Sequence, residues 1–461
     1  MTKNDLIAGF CEGFGTGGEG IVHAGGCTVF VPYMLPDEKG NIKILKTKGN
    51  IAYGKLEELV IPAEDRVRPK CGVFGRCGGC QLQHMKYRSQ VKFKRELVEG
   101  TLKKIGNITF PVAHVERSEK EYGYRNKLQL PIGRIGENNA VGFYAERSHR
   151  IVPTGECPIH PEWADKLIAA VLGFMEKCGL DGYDEETGKG QLRHIVVREL
   201  KNKYIVTLVA TVREIKGIDY LLFLLDGIFP EYSFYLNFND QHTNVIFGED
   251  FVLLKGRGFY ECTEGGITFE AGPNTFVQVN EGVRAKLYER AVSLAEENDI
   301  VVDCYSGGGL LTAMFAKKCK QAYGIEVVPE ASACAERLKE RNDLMGMTSI
   351  CGTVEEHLSG ILEREKDAVV VLDPPRAGVE RTVLKELMKH AVKKIILISC
   401  NPATLARDLG ILTGTLTETE TGELVKAENP RGMYEITLIQ PYDMFPQTKH
   451  IETLVCLRTK S

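Results

Sequence analysis

Net charge is nearly absent from this chain: 461 residues carry 58 basic and 62 acidic side chains, a balance of −4 with histidine neutral. That excludes nucleic-acid binding through overall basicity, so any contact with a polyanion must come from a local patch. No apolar run approaches the length of a membrane span, which excludes a transmembrane helix. The opening Met1-Thr2-Lys3-Asn4-Asp5 has no signal-peptide core, so the expected compartment is cytoplasmic. Internal repeats and low-complexity tracts are also missing, and neither a membrane nor an obligate protein partner is indicated.

Cysteine, by contrast, is plentiful, at 14 residues. In a reducing compartment such a count points to metal ligation or catalysis rather than to disulfides. Cys262, Cys319, Cys334, Cys351 and Cys456 sit among apolar or helical neighbours and read as plain buried thiols. The length calls for two or three domains, and a composition of 43% hydrophobic and 26% charged residues makes them ordinary globular ones.

Residues 1–64 show short β-like runs separated by glycines. Gly15, Gly17, Gly18 and Gly20 precede Ile21-Val22, and Gly25-Gly26 precede Thr28-Val29-Phe30-Val31-Pro32. So many glycines raise the question of phosphate binding. No strand leads in and no helix follows, however, so the turns of a small barrel are expected; small five-stranded barrels often bind RNA. Residues 65–265 hold a cysteine-containing stretch and then β-rich sequence. Between 86 and 104, Lys86, Arg88, Lys92, Lys94, Arg95, Lys103 and Lys104 outnumber Glu96 and Glu99, which suits either a phosphate backbone or a solvated helix face. Residues 266–461 turn to β-α-β alternation, the signature of a parallel sheet. Within them the polar stretch 414–432 reads as an exposed excursion, and the runs 434–440 and 453–458 as an antiparallel edge.

Three motifs fall at strand ends of this last region, where open α/β sheets bind ligands. Asp303-Cys304-Tyr305-Ser306-Gly307-Gly308-Gly309 is a strand-to-helix turn whose glycines let backbone approach a ligand. Glu326 ends the next strand, where an acid accepts the ribose hydroxyls of an adenosine. NAD is the competing ligand, but its fingerprint needs a third glycine where Thr312 stands. An acid at the loop entrance suits the cationic S-adenosylmethionine instead. Asp373-Pro374-Pro375-Arg376 lacks the aromatic that would follow in an amino-group methyltransferase, and Cys400, in Ser399-Cys400-Asn401-Pro402, supplies a thiol. A thiolate adding to carbon 6 of uracil makes carbon 5 nucleophilic, and a base must later remove the carbon-5 proton. Glu452, Asp443 and Glu435 are the candidate bases, and spacing does not choose among them.

Cys71, Cys77 and Cys80 are separated by glycines, so the loop can wrap a centre; Cys157, followed by Pro158, is the best fourth ligand. A [4Fe-4S] cluster and a structural zinc both remain open on spacing.

These residues resemble the RNA uracil-5-methyltransferases, and specifically the iron–sulfur branch acting on 23S ribosomal RNA. The resemblance spans almost the whole chain, including Phe30-Val31-Pro32, Arg66 to Cys71, Cys77-Gly78-Gly79-Cys80-Gln81-Leu82-Gln83-His84 and Tyr124-Arg125-Asn126-Lys127. It continues through Phe276-Val277-Gln278-Val279-Asn280, Asp303 to Gly309, Asp373 to Gly378, Ser399 to Leu405 and Asp443-Met444-Phe445-Pro446. It implies a multidomain α/β protein: an OB-like RNA-binding barrel (TRAM) over 1–64, a central β-rich iron–sulfur domain over 65–265, and a Rossmann-like methyltransferase domain over 266–461. It also implies Cys400 as nucleophile, Glu452 as proton acceptor, and Gln278, Tyr305, Glu326 and Asp373 as contacts to S-adenosylmethionine. At Cys71, Cys77, Cys80 and Cys157 it favours a [4Fe-4S] cluster, and the target uridine would be flipped from its RNA. The alternatives are the same chemistry on the T-loop of transfer RNA and a non-catalytic RNA-binding or ribosome-assembly protein. The chain departs from the family at Ser306, where cysteine is usual, at Thr353 beside Glu355, where an acid is common, and in the added stretch 414–432.

Overall fold

The computed structural model describes residues 1–275 and 277–460, so Phe276 of the 276–280 motif lies outside the described residues. The N-terminal strands β1 (Leu6–Phe14), β2 (Gly20–Ala24), β3 (Cys27–Val31), β4 (Lys39–Lys48) and β5 (Ile51–Ile61) close into a barrel in the order β1-β2-β3-β5-β4. Alternate residues point inward, as the two-residue period of a strand requires. The barrel interior is Cys11, Val22, Val29, Val31, Ile42, Ile44 and Ala52. The glycine-rich segment forms the β1–β2 turn, and the Glu19 carboxylate accepts from the Gly17 amide at 3.0 Å. A carboxylate in that loop opposes phosphate and settles the choice for the barrel turn.

Helix α1 (Tyr87–Gly106) is not a free basic stripe. Lys94 is fully buried against Asp443 (Nζ to Oδ1, 2.6 Å), Arg88 pairs with Asp65, and Arg95 with Glu99. The apolar face of α1, with Val91, Val98 and Leu102, packs into the core of the C-terminal domain. The helix therefore belongs spatially to that domain rather than to 65–265, where its sequence position had placed it.

The central domain is a sheet of β6 (Lys127–Ile135), β7 (Asn138–Tyr144), β8 (Ile151–Pro153), β9 (Leu192–Leu200), β10 (Lys203–Ala210), β11 (Tyr232–Phe238) and β12 (Asp250–Lys255), ordered β12-β11-β10-β9-β6-β7-β8. Leu128, Leu130, Ile195 and Val197 face α2 (Trp163–Cys178) and α3 (Ile218–Asp226). The hairpin β13 (Tyr260–Glu264) and β14 (Ile267–Ala271) follows. It spans residue 265 and packs between Leu200, Ile205 and Tyr235 of the central sheet and Ala313 and Met314 of the C-terminal domain.

After α4 (Glu281–Ser293), the C-terminal sheet runs through β15 (Ile300–Cys304), α5 (Leu310–Lys318), β16 (Gln321–Glu326), α6 (Pro329–Arg341), β17 (Met347–Cys351), α7 (Val354–Arg364), β18 (Val369–Leu372), α8 (Arg381–Lys389), β19 (Lys394–Ser399) and α9 (Pro402–Leu412). These five strands are parallel, and buried on both faces they need continuous apolar runs. Val301, Val371 and Ile396 meet α4 and α5, while Val302, Val370 and Ile395 meet α1, α7, α8 and α9. Within 414–432 lie two short strands, β20 (Leu416–Glu418) and β21 (Leu424–Lys426), paired as a hairpin. Arg381 anchors it to α8 through Glu418 at 2.9 Å, so the excursion is a folded arm. Finally β22 (Tyr434–Tyr442) and β23 (Glu452–Thr459) complete the sheet in the order β17-β16-β15-β18-β19-β23-β22, the last strand inserted antiparallel beside β19. Of the five cysteines read as buried, Cys262, Cys319 and Cys456 are so, Cys334 is half-buried and Cys351 is exposed, because β17 is the outer strand. Among the described residues, no helix is long and apolar enough to cross a membrane.

The buried Lys94–Asp443 pair generates a stability prediction. Lys94→Met alone strands a buried carboxylate and should cost about 3–5 kcal/mol, whereas Lys94→Met with Asp443→Leu should recover most of it. Urea unfolding of the two variants checks this; equal losses in both would contradict it.

Candidate active site

Each chemistry-bearing residue arrives at the carboxyl end of a strand. After β15 the chain turns sharply: Tyr305 has φ +67°, and Gly307 and Gly309 have φ +55° and +82°. Glycine is required at 309, since a Cβ there would meet that of Ala335 at 2.7 Å. Tyr305 pays a steric cost for the same turn, and such strain clusters where a ligand binds. Glu326 braces the loop from β16, its carboxylate accepting from the amides of Gly307 and Val328, both at 2.8 Å. Asp303 is 1% exposed and accepts from Thr312 Oγ1 at 2.6 Å. The residue that breaks the dinucleotide fingerprint thus holds the acid at the loop entrance.

Asp373 follows β18, and Cys400 follows β19 in the turn capped by Asn401, which accepts from the Ala403 amide at 3.1 Å. In the β19–β23 ladder Ser399 opposes Thr453. One step further, Cys400 stands beside Glu452, which pairs on its other side with Tyr442. Burial raises the Cys400 thiol to about 11; the Glu452 and Asp373 charges push the same way, and Arg376 opposes them. Burial also holds the Glu452 carboxyl well above its usual range, with Asp373 adding to the rise and Arg376 countering it. Asp303 and Asp373 are each raised to about 7, mainly by burial. Asp373 thus lies within reach of Asp303, Cys400 and Glu452, and Arg376 opposes it at the last two.

The other two candidate bases are engaged elsewhere. Asp443 is neutralised by Lys94, and Glu435 lies at the far end of β22, exposed and paired with Arg458. Gln278 lies in the segment before α4. Its carbonyl accepts from Arg284 at 3.1 Å and Asn126 at 3.3 Å, which fixes that segment against the central domain. The Tyr305 ring packs among the partly buried members of the core on the α7–α9 face, and its hydroxyl is buried without a partner. Thr353 has a structural duty, capping α7 in a reciprocal pair with Glu356. Sequence spacing offered no sign of Lys94, which steadies the segment leading to Glu452 from 349 residues away.

The remaining cysteines form a separate centre. Cys71, Cys77, Cys80 and Cys157 line one cavity of about 260 Å³ together with Gln83, Arg125, Lys127 and His160. Burial raises Cys80 to about 12 and also lifts Cys77 and Cys157, and the thiols act on one another's charge. The Gly79 amide points at Cys77 Sγ at 3.3 Å. Among the described residues, no group of three or more His, Cys, Asp or Glu side chains is placed to hold a metal.

A glycine turn suited to adenosine beside a thiol–carboxylate pair defines an enzyme that works with a nucleotide cofactor. Residues 240–460 match the tRNA (uracil-5-)-methyltransferase family. An uncharacterized RNA methyltransferase of Clostridium tetani is 36% identical over 99% of this chain and 97% of its own length. One from Listeria innocua is 35% identical over 100% and 99% respectively. Among solved structures, the Pyrococcus abyssi tRNA (uracil-54, C5)-methyltransferase in complex with S-adenosyl-L-homocysteine superposes with a TM-score of 0.74 at 25% identity, covering 98% of this chain and 99% of that one. The chain belongs to the RNA uracil-5-methyltransferase family and is an S-adenosylmethionine-dependent enzyme.

The raised carboxyls give a pH prediction. A bound cation lowers the pKa of Asp303 and Asp373, so binding S-adenosylmethionine near pH 7 releases protons. For one such group, affinity should weaken about tenfold between pH 8 and pH 6. Calorimetry in buffers of different ionisation enthalpy measures both quantities; an affinity flat across that range would refute the assignment.

Proposed function

We propose that this enzyme methylates carbon 5 of a uridine in 23S ribosomal RNA through a covalent Cys400 adduct. The observation that carries the chemistry is that Cys400 directly follows Ser399, which faces Thr453 across the β19–β23 ladder, so that the neighbouring Glu452 acts on the Cys400 thiol. The Cys400 sulfur, as thiolate, bonds to carbon 6 of the uracil, and the carbon 5–carbon 6 π electrons move out to the carbonyl oxygen as an enolate. Carbon 5 then takes the methyl group, and the sulfonium–methyl electrons remain on sulfur, giving S-adenosylhomocysteine. Glu452 accepts the carbon-5 proton, the double bond reforms, and the carbon–sulfur electrons return to Cys400. A thiol raised to about 11 and a carboxyl raised by the same burial fit a resting site whose ionisation is favoured by an incoming cation. Asp373, next to both, orients the methyl donor, with Gln278, Tyr305 and Glu326 as its further contacts.

Cys71, Cys77, Cys80 and Cys157 would hold a [4Fe-4S] cluster, supplying an anionic structural centre that ties the 71–80 loop to the chain around Cys157. The barrel is read as the RNA-binding module, and the compartment as cytoplasmic. A second reading is favoured by the whole-length likeness to the tRNA (uracil-54, C5)-methyltransferase: a T-loop uridine as target. Because that likeness covers 98% of this chain, neither the barrel nor the cysteine region separates the two substrates.

Two outcomes are expected. With unmodified 23S and transfer RNA supplied separately, labelled methyl should enter 23S RNA as 5-methyluridine; Cys400→Ala should abolish transfer with RNA affinity unchanged. Label confined to transfer RNA would move the target and keep the mechanism. Anaerobically purified protein should contain iron and acid-labile sulfide in equal amounts, and Cys80→Ser or Cys157→Ser should lose both. Stoichiometric zinc in the wild type would overturn the cluster.

A further inference from the structure

The loop that delivers Glu452 packs Met444 and Ile451 into the core of its own domain, but most of its hydrogen bonds come from residues far away in the sequence. Residues 443–451 connect β22 to β23, and nearly every side-chain or long-range bond upon them comes from residues 81–124. Lys94 Nζ donates to the Phe445 carbonyl at 2.9 Å as well as to Asp443, and Tyr124 donates to the Pro446 carbonyl at 3.0 Å. The centre of the loop is Gln447, 1% exposed and in the left-handed region at φ +69°. Gln90 Nε2 donates to its side-chain oxygen at 2.9 Å, and its amide donates back to Gln90 Oε1 at 3.0 Å. The Gln447 carbonyl accepts from the amides of Gln81 and Leu82, at 3.2 and 3.0 Å. Gln81 accepts from the Lys449 amide at 3.4 Å and donates to the Gly78 carbonyl at 2.9 Å.

Gly78 lies inside the cysteine loop, and Gln81 directly follows Cys80. One continuous set of hydrogen bonds therefore runs from the cysteine loop to Gln447 and Lys449, and it ends three residues before Glu452. A non-glycine residue at positive φ persists only where its surroundings over-determine it, and here the two glutamines and the 81–82 amides do so.

We propose that Gln81, Gln90 and Gln447 are positioning residues for the proton-removal half of the reaction, so that the order of the cysteine loop governs release of the methylated product. This rests on the assignment of Glu452 as base. In the step at issue the carbon-5 proton passes to the Glu452 carboxylate, the carbon–hydrogen electrons form the carbon 5–carbon 6 double bond, and the sulfur–carbon 6 electrons return to Cys400. Loosening the loop shifts the start of β23, where the acceptor stands, while Cys400, in the turn after β19, keeps its place. Addition and methyl transfer then continue, and the methylated adduct accumulates.

The test uses full-length protein, labelled S-adenosylmethionine and whichever RNA transcript accepts methyl from the wild type. Adduct is read as labelled RNA–protein that survives denaturing electrophoresis. Gln81→Ala and Gln447→Ala should form adduct within about twofold of the wild-type rate in a single turnover and release product at least tenfold more slowly. Gln81 is only half-buried, so its variant carries the test should Gln447→Ala not fold. Glu452→Gln is the reference and should trap the same adduct. If Glu452→Gln traps nothing, the base assignment falls and the proposal with it. If Glu452→Gln traps adduct but the glutamine variants either release like the wild type or lose addition and release in parallel, the positioning role is overturned.

Discussion

The site depends on one register. β23 enters the sheet antiparallel between β19 and β22, with Ser399 opposite Thr453, and that pairing sets a carboxyl beside a thiol that lies 52 residues earlier in the chain. A slip of one residue would turn every side chain of β23 to the other face. The slip is prevented on both faces: Leu454 packs with α4 and α5, while Val455 and Leu457 pack with α1 and α7–α9. The apolar alternation of a terminal strand thereby fixes catalytic geometry as firmly as any hydrogen bond within the site.

Electrostatically the crevice is built for a guest. Asp303, Asp373 and Glu452 are all pushed towards their neutral forms by burial, and the thiol is pushed away from thiolate. Such a site disfavours a thiolate and several carboxylates being charged together. A sulfonium and an ammonium group arriving together supply the missing positive charge, and Arg376, exposed at the rim beside the pair, is the chain's own contribution of that sign. Reactivity is thus conditional on occupancy.

Much of this was legible in the sequence because strand-end motifs are local. The parallel strands, the glycine turn, the Asp373 and Cys400 turns and the antiparallel edge fall where apolar runs break into polar residues, and the barrel follows from short runs punctuated by glycine. Other features lay outside what spacing can show. The charges on α1 looked available until Lys94, Arg88 and Arg95 were each found with an acid, two of those acids outside the helix. The hairpin over residues 260–271 escaped notice in the sequence, and its apolar residues bridge the central sheet and the domain that follows. Cys351 looked buried from its strand pattern and is exposed, because periodicity does not reveal which strand is outermost. The choice among three acids needed the fold, since only the ladder tells which of them meets Cys400.

The Lys94–Asp443 pair also sets a clock on biosynthesis. Its partners are 349 residues apart, and at roughly 5–20 residues per second the ribosome takes about 17–70 s to deliver the second after the first. Throughout that interval α1 carries, on a face destined for the interior, a lysine with no counter-ion, so the helix cannot dock for good until the end of the chain has emerged. Residues 443–459 supply the ion-pair partner, the strand and the acid together, and a chain cut before them therefore presents an unfinished sheet.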